Sequence, residues 1–168
     1  VPPRPRVTCQ EQLVPARTGT VRVPAAALVA FNRMYVSEDW SLADFVPDYP
    51  ERLNLYTAML FAHEMVHVWQ WQNRDLTRYH PLKGAAEHAR SADPYLFDPN
   101  TTQPFLSYGY EQQASLVEEY VCCIALDPDG PRTERLKALI SEAIPVGEMP
   151  RPEAFIPWPD APEGGLCS

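Results

Sequence analysis

Apolar residues recur at three- and four-residue intervals through Leu55, Met59, Ala62, Val66 and Trp69, which predicts a helix with one core-facing stripe. The spacing starts this helix within residues 51–54 and runs it to about residue 74. Asn54 serves as its cap, or Pro50 serves equally well in its first turn. A second long helix is expected over residues 107–126, stopped by Asp127-Pro128-Asp129-Gly130. A third, over 133–143, opens on Thr133-Glu134 and carries Leu136, Leu139 and Ile140 on one scaffold face.

Strand signals are weaker. Alternation over residues 18–23 predicts a short strand ended by Pro24. Over 25–36 the alanines favour helix while Val29, Phe31, Met34, Tyr35 and Val36 suit a strand, and a strand over 32–36 is expected. Beside the first long helix it would offer a substrate backbone an edge to pair with. Residues 37–41 and 47–50 read as loop. The stretch 75–107 is polar and irregular, broken at Pro81, Gly84, Pro94, Pro99 and Pro104, with a short helix over 84–91; a segment of this kind suits the lid or wall of a cleft. The fold class that follows is α+β, mainly helical with a short β-sheet.

Composition narrows the picture. With 168 residues and 45% hydrophobic content, the chain reads as a single domain, 1–168, whose core needs neither metal nor disulfide to form. A net charge of −8 argues against nucleic acid as a partner, since phosphates call for a basic patch. No apolar run is long enough for a membrane span and no export address is visible, so a soluble chain is expected. The chain has nineteen prolines against seven glycines, and the prolines are dense at the ends, where residues 1–17 and 145–168 read as Pro-rich extended arms. Phe155, Ile156 and Trp158 are expected to dock the second arm.

Chemistry enters through His63-Glu64-Met65-Val66-His67, a His-Glu-x-x-His pattern inside the first long helix. Residues four apart share a helix face, so two imidazoles can converge on one ion. Glu64 is carried beside that ion without binding it, as the general base of a metal-activated water must be. Chance would give this pattern about once in a few hundred chains of this length.

A catalytic zinc takes three protein ligands and keeps a position open. Glu111 is the favoured third, because it shares a face with the small residues Ala114 and Ser115, which permit close helix approach. Asp75, Glu87, Asp93 and His88 are other options, while His80 is disfavoured by the lack of a turn-forming glycine after His67. Glu118, two turns along the same face as Glu111, is placed to hold a ligand histidine by its outer nitrogen, with Glu119 as the alternative; a solvated helix charge competes with either role. Tyr108 and Tyr110 precede Glu111 and are candidate catalytic oxyanion donors, and His88 is a third candidate, on the substrate-binding side.

The stretch His63-Glu64-Met65-Val66-His67-Val68-Trp69-Gln70, followed by Tyr108-Gly109-Tyr110-Glu111-Gln112-Gln113-Ala114, resembles the zinc metallopeptidase domains at the C-termini of VgrG-type spike proteins and related type VI secretion effectors. The resemblance implies a small zincin-like metallopeptidase domain with one zinc ion on His63, His67 and Glu111, and Glu64 as catalytic base. It also implies a secreted antibacterial toxin acting in the periplasm of a target bacterium. The partners it implies are a protein or peptide substrate, a cognate immunity protein and a secretion spike or Rhs carrier. The Pro-rich arms lie outside it. Two other readings stay open: a binding or structural module with a closed metal site or none, and a metal-dependent cell-wall amidase.

Four cysteines remain. Cys122 and Cys123 occupy helix faces about 100° apart, so one is expected to pack inward and the other not. In an oxidising compartment Cys9 or Cys167 would tether the arms to each other or to this helix; otherwise the four are two buried apolar thiols and two terminal ones.

Overall fold

The computed structural model describes residues 27–98, 100, 102–148, 150–156 and 167. The expected strand over 18–23, Cys9 and Trp158 lie outside them. The fold is α+β, with five α-helices and two small sheets among the described residues.

Of the stretch 25–36, the described residues 27–36 give a hairpin rather than a helix or a lone strand. β1 (Ala27–Ala30) pairs antiparallel with β2 (Arg33–Val36), Ala27 facing Val36 and Ala30 facing Arg33. The two-residue turn needs a left-handed residue, and Phe31 takes that place at φ 61°. A second sheet joins β3 (Arg52–Asn54) to β4 (Glu153–Phe155) in parallel, so the Pro-rich C-terminal arm supplies a strand. Its docking falls to Ile156, which packs on the core, whereas Phe155 is exposed with the Arg52 guanidinium over its ring.

The first long helix, α1 (Leu55–Gln72), starts later than the earliest expected position because residues 52–54 are claimed by β3. Asn54 is its cap, accepting from the Thr57 N–H at 3.3 Å, and Thr57 Oγ1 donates to the Phe45 carbonyl at 2.6 Å. It ends where Asn73 Nδ2 donates to the Trp69 carbonyl. After the short α2 (Arg74–Thr77), α3 (Pro81–Arg90) begins one turn earlier than expected. Pro81 opens this helix instead of breaking it, because the first helical position needs no N–H, and His80 Nδ1 accepts from the Leu82 N–H.

α4 (Tyr110–Leu126) follows a 3₁₀ turn at Phe105–Ser107, so Ser107, Tyr108 and Gly109 stand outside the helix. α5 (Pro131–Ser141) is shifted two residues towards the N-terminus from the expected 133–143. Thr133 is not its cap: its hydroxyl donates to the Asp127 carbonyl, and Gly130-Pro131 makes the start. α1 packs more extensively on α4 than any other pair of elements, and α5 covers α4 from the other side. Between them lies the core of Leu55, Met59, Phe105, Leu116, Leu136 and Ile140. Among the described residues no helix is long and apolar enough to cross a membrane.

Cys122 and Cys123 are both fully buried, contrary to the expected split, because α4 is covered on several sides. Cys123 forms a disulfide with Cys167, a separation of 44 residues, so the arm is tied to α4. Closing a loop of that length is worth about 4 kcal/mol in the chain-entropy account. The Cys123→Ala/Cys167→Ala double variant is therefore expected to lose about 2–5 kcal/mol in urea unfolding; unchanged stability would show that packing alone holds the arm.

Candidate metal centre

His63 and His67 lie one turn apart on the buried face of α1, and Glu111 opens the facing side of α4. Ala114 and Ser115 are buried at that seam and let the helices approach. Glu111 Oε2 lies 3.3 Å from His63 Nε2 and 3.3 Å from His67 Nε2. The three ligand atoms fall within 4.8 Å of one another, all on residues no more than 7% exposed, and the group could hold a metal ion. Among the described residues no other set of three such side chains converges this way.

The outer nitrogens are held as well. Glu118 Oε2 lies 3.1 Å from His63 Nδ1, and an ionised carboxylate only accepts, so His63 donates from Nδ1 and turns Nε2 to the centre. Gln70 Oε1 does the corresponding work 2.9 Å from His67 Nδ1. Glu119 has no such part. It points to the far side of α4, where its Oε1 accepts from Arg132 Nη1 at 2.8 Å in a buried ion pair.

Charge at the centre is unbalanced towards the negative. Burial works against a charged His63, but hydrogen bonds to Glu111 and Glu118 outweigh it and raise its pKa to about 10. Burial likewise opposes a charged Glu111, and its bonds to His63 and His67 overcome this and hold its carboxyl well below the usual range. Glu64 moves the other way: burial raises it, with Glu111 and Glu118 adding to that, against the pull of His63 and His67. Glu64 is 6% exposed and makes no hydrogen bond among the described residues, which leaves its carboxyl available to a small molecule at the centre.

The irregular stretch 75–107 forms the wall of the site. His88 Nε2 sits 3.0 Å from Glu111 Oε1, on a half-exposed side chain. Tyr95 stands over both histidines, its ring 5.7 Å from that of His63 and 5.4 Å from that of His88. Tyr79 stacks on His67 at 5.9 Å, and its pKa is pushed up to about 12 by burial and then by Glu111 and Glu64. Gly84 makes room for that ring, since a Cβ there would meet it at 3.3 Å. Glu87 caps α4, accepting from the N–H groups of Tyr110 and Glu111, and a Cβ at Gly109 would come within 3.3 Å of both its oxygens.

The two tyrosines singled out beside Glu111 are occupied elsewhere. Tyr110 donates its hydroxyl to the Arg78 carbonyl at 3.0 Å, and Tyr108 packs against the core. Asp75, His80 and Asp93 are not in the cluster, and Glu87 supports α4 instead of a ligand atom. Sequence reading missed Gln70, Tyr79 and Tyr95. Gln70 was within reach of it, three residues after His67 on the same helical face. The two tyrosines sit in a segment without periodicity, and no local signal marks them.

Two outcomes follow. Glu118→Ala should weaken metal binding about 10–100-fold in chelator competition, whereas Glu119→Ala should leave it unchanged and cost about 3–5 kcal/mol in urea unfolding. Hydrogen bonds to Glu111 and Glu118 raise the His63 pKa from its ordinary 6.5 to about 10, so an ion that binds there would have to expel its proton throughout the neutral range. Affinity should then rise up to about tenfold per pH unit between about pH 6 and about pH 9; a plateau above the ordinary histidine value would show that His63 is already deprotonated. Comparison of this chain with protein-family models, curated proteins and solved structures gives no match, so its function has to be read from this centre.

Proposed function

We propose that the chain is a zinc-dependent metallopeptidase, with His63, His67 and Glu111 as ligands and Glu64 as general base. The observation that carries this reading is the free carboxyl of Glu64, buried beside three converged ligand atoms whose outer partners are already in place. Two imidazole nitrogens and one carboxylate oxygen are a donor set that suits zinc, and three protein ligands leave a position for water and substrate. A closed structural site would need a fourth ligand, and no group of four is present among the described residues.

When bound, zinc would polarise the scissile carbonyl and acidify water at the centre. Glu64 takes the proton of the attacking water and returns it to the leaving amine. Its raised pKa, with burial as the first cause, brings the base nearer to neutrality, where both transfers are efficient. Glu118 and Gln70 keep the imidazoles aimed during these steps. Tyr95, neutral far above neutral pH because of burial and the nearby carboxylates, stands at the rim and can donate to the developing oxyanion, with His88 beside it held on Glu111 Oε1.

As to setting, we infer a secreted antibacterial effector of the type VI kind, acting in the target periplasm and countered by an immunity protein. The Cys123–Cys167 disulfide supports an oxidising place of action. The test compares wild type with Glu64→Gln for metal content, cleavage of unfolded proteins and growth of a Gram-negative host exporting each to its periplasm. One zinc in both, with cleavage and growth arrest only in wild type, is the expected result. Retained activity in Glu64→Gln would overturn the catalytic role, and equal harm from cytoplasmic expression would overturn the compartment.

A further inference from the structure

Gln70 and Gln113 are buried amides, 0% and 2% exposed, at the seam of α1 and α4. A buried amide has two orientations that differ in where its donors and acceptor point, and its partners decide between them. Here backbone carbonyls decide. Gln113 Nε2 lies 2.8 Å from the Tyr108 carbonyl oxygen, and Gln70 Nε2 lies 3.0 Å from the Tyr110 carbonyl oxygen. A carbonyl oxygen only accepts, so both NH₂ groups must face these atoms. Gln113 Oε1 is left to accept from Gln70 Nε2 at 3.1 Å, and Gln70 Oε1 is left facing His67 Nδ1 at 2.9 Å. That oxygen can only accept, so the proton of a neutral His67 belongs on Nδ1.

We propose that this relay, from the Tyr108 carbonyl through Gln113 and Gln70 to His67, sets the tautomer of His67 and aims its bare Nε2 at the metal, making Gln70 and Gln113 positioning residues of the centre. The inference rests on the reading of His67 as a zinc ligand. It gives the two histidines different supports: His63 faces a carboxylate, whereas His67 faces a neutral amide whose orientation is fixed from the start of α4. A carboxylate at position 70 would add a fourth acidic group to a buried centre that already holds Glu64, Glu111 and Glu118. The amide accepts the same proton without that charge. The relay also begins three residues before Glu111, so the segment that delivers the third ligand orients the second.

The test measures zinc affinity by chelator competition, and thermal stability, on wild type, Gln70→Leu, Gln113→Leu and Gln70→Glu, each shown to be folded by circular dichroism. Gln70→Leu should bind about 10–100-fold more weakly, and Gln113→Leu, which touches no ligand, about tenfold more weakly. Gln70→Glu still accepts from His67 but sets a carboxylate against the Tyr110 carbonyl and Gln113 Oε1. It should melt earlier while binding zinc within about threefold of wild type. Packing alone would make affinity follow stability across the three variants, and that result would overturn the relay. Wild-type affinity in both Leu variants would do the same while leaving the zinc site standing. A wild type that takes up no zinc would instead overturn the zinc reading and the relay with it.

Discussion

The carboxylate of Glu111 is buried where two helices meet, and it has to be neutralised there. An isolated carboxylate taken out of water costs several kcal/mol, and Glu111 is 6% exposed. It is tolerable because α1 brings His63 and His67 to one of its oxygens and α3 brings His88 to the other. Without an ion, the proton on His63 supplies the positive charge. A divalent ion would supply more of it and satisfy the same lone pairs, so charge compensation and metal binding are two uses of one arrangement.

That constraint explains why α4 is divided so sharply around its axis. Glu118 and Glu119 are neighbours in the chain and about 100° apart on the helix. One steadies His63, and the other meets Arg132 in a buried pair on the side shared with α5. Cys123 lies one turn beyond Glu119 and ties the C-terminal arm to the same side. α4 thus carries the candidate centre on one face and its anchorage on another. The apolar core between α1, α4 and α5 keeps the two helices at the spacing the centre needs.

The wall of the centre comes from the least regular part of the chain. Pro81 starts α3, Gly84 admits the Tyr79 ring against His67, and Glu87 caps α4 at the residue that delivers Glu111. His88 and Tyr95 then stand at the opening. Prolines and a glycine that punctuate the sequence are here the joints that let one segment reach several parts of the site.

The chain by itself determined whatever depends on short-range periodicity. The 3.6-residue period put Leu55, Met59 and Val66 inward, and the same period put His63 and His67 on one face with Glu64 beside them. It also placed Glu118 two turns beyond Glu111, and Gln70 one turn beyond His67, though the latter went unread. Tertiary structure decided what depends on the approach of distant segments. The choice of Glu111 over Glu87 or His88, and of Glu118 over Glu119, turns on which face of α4 meets α1. The place of Tyr95 at the rim and of β4 against β3 depends on paths through loops, where backbone angles follow no repeat. The Cys123–Cys167 bond belongs with these, since pairing follows distance in space and the sequence carries no record of it.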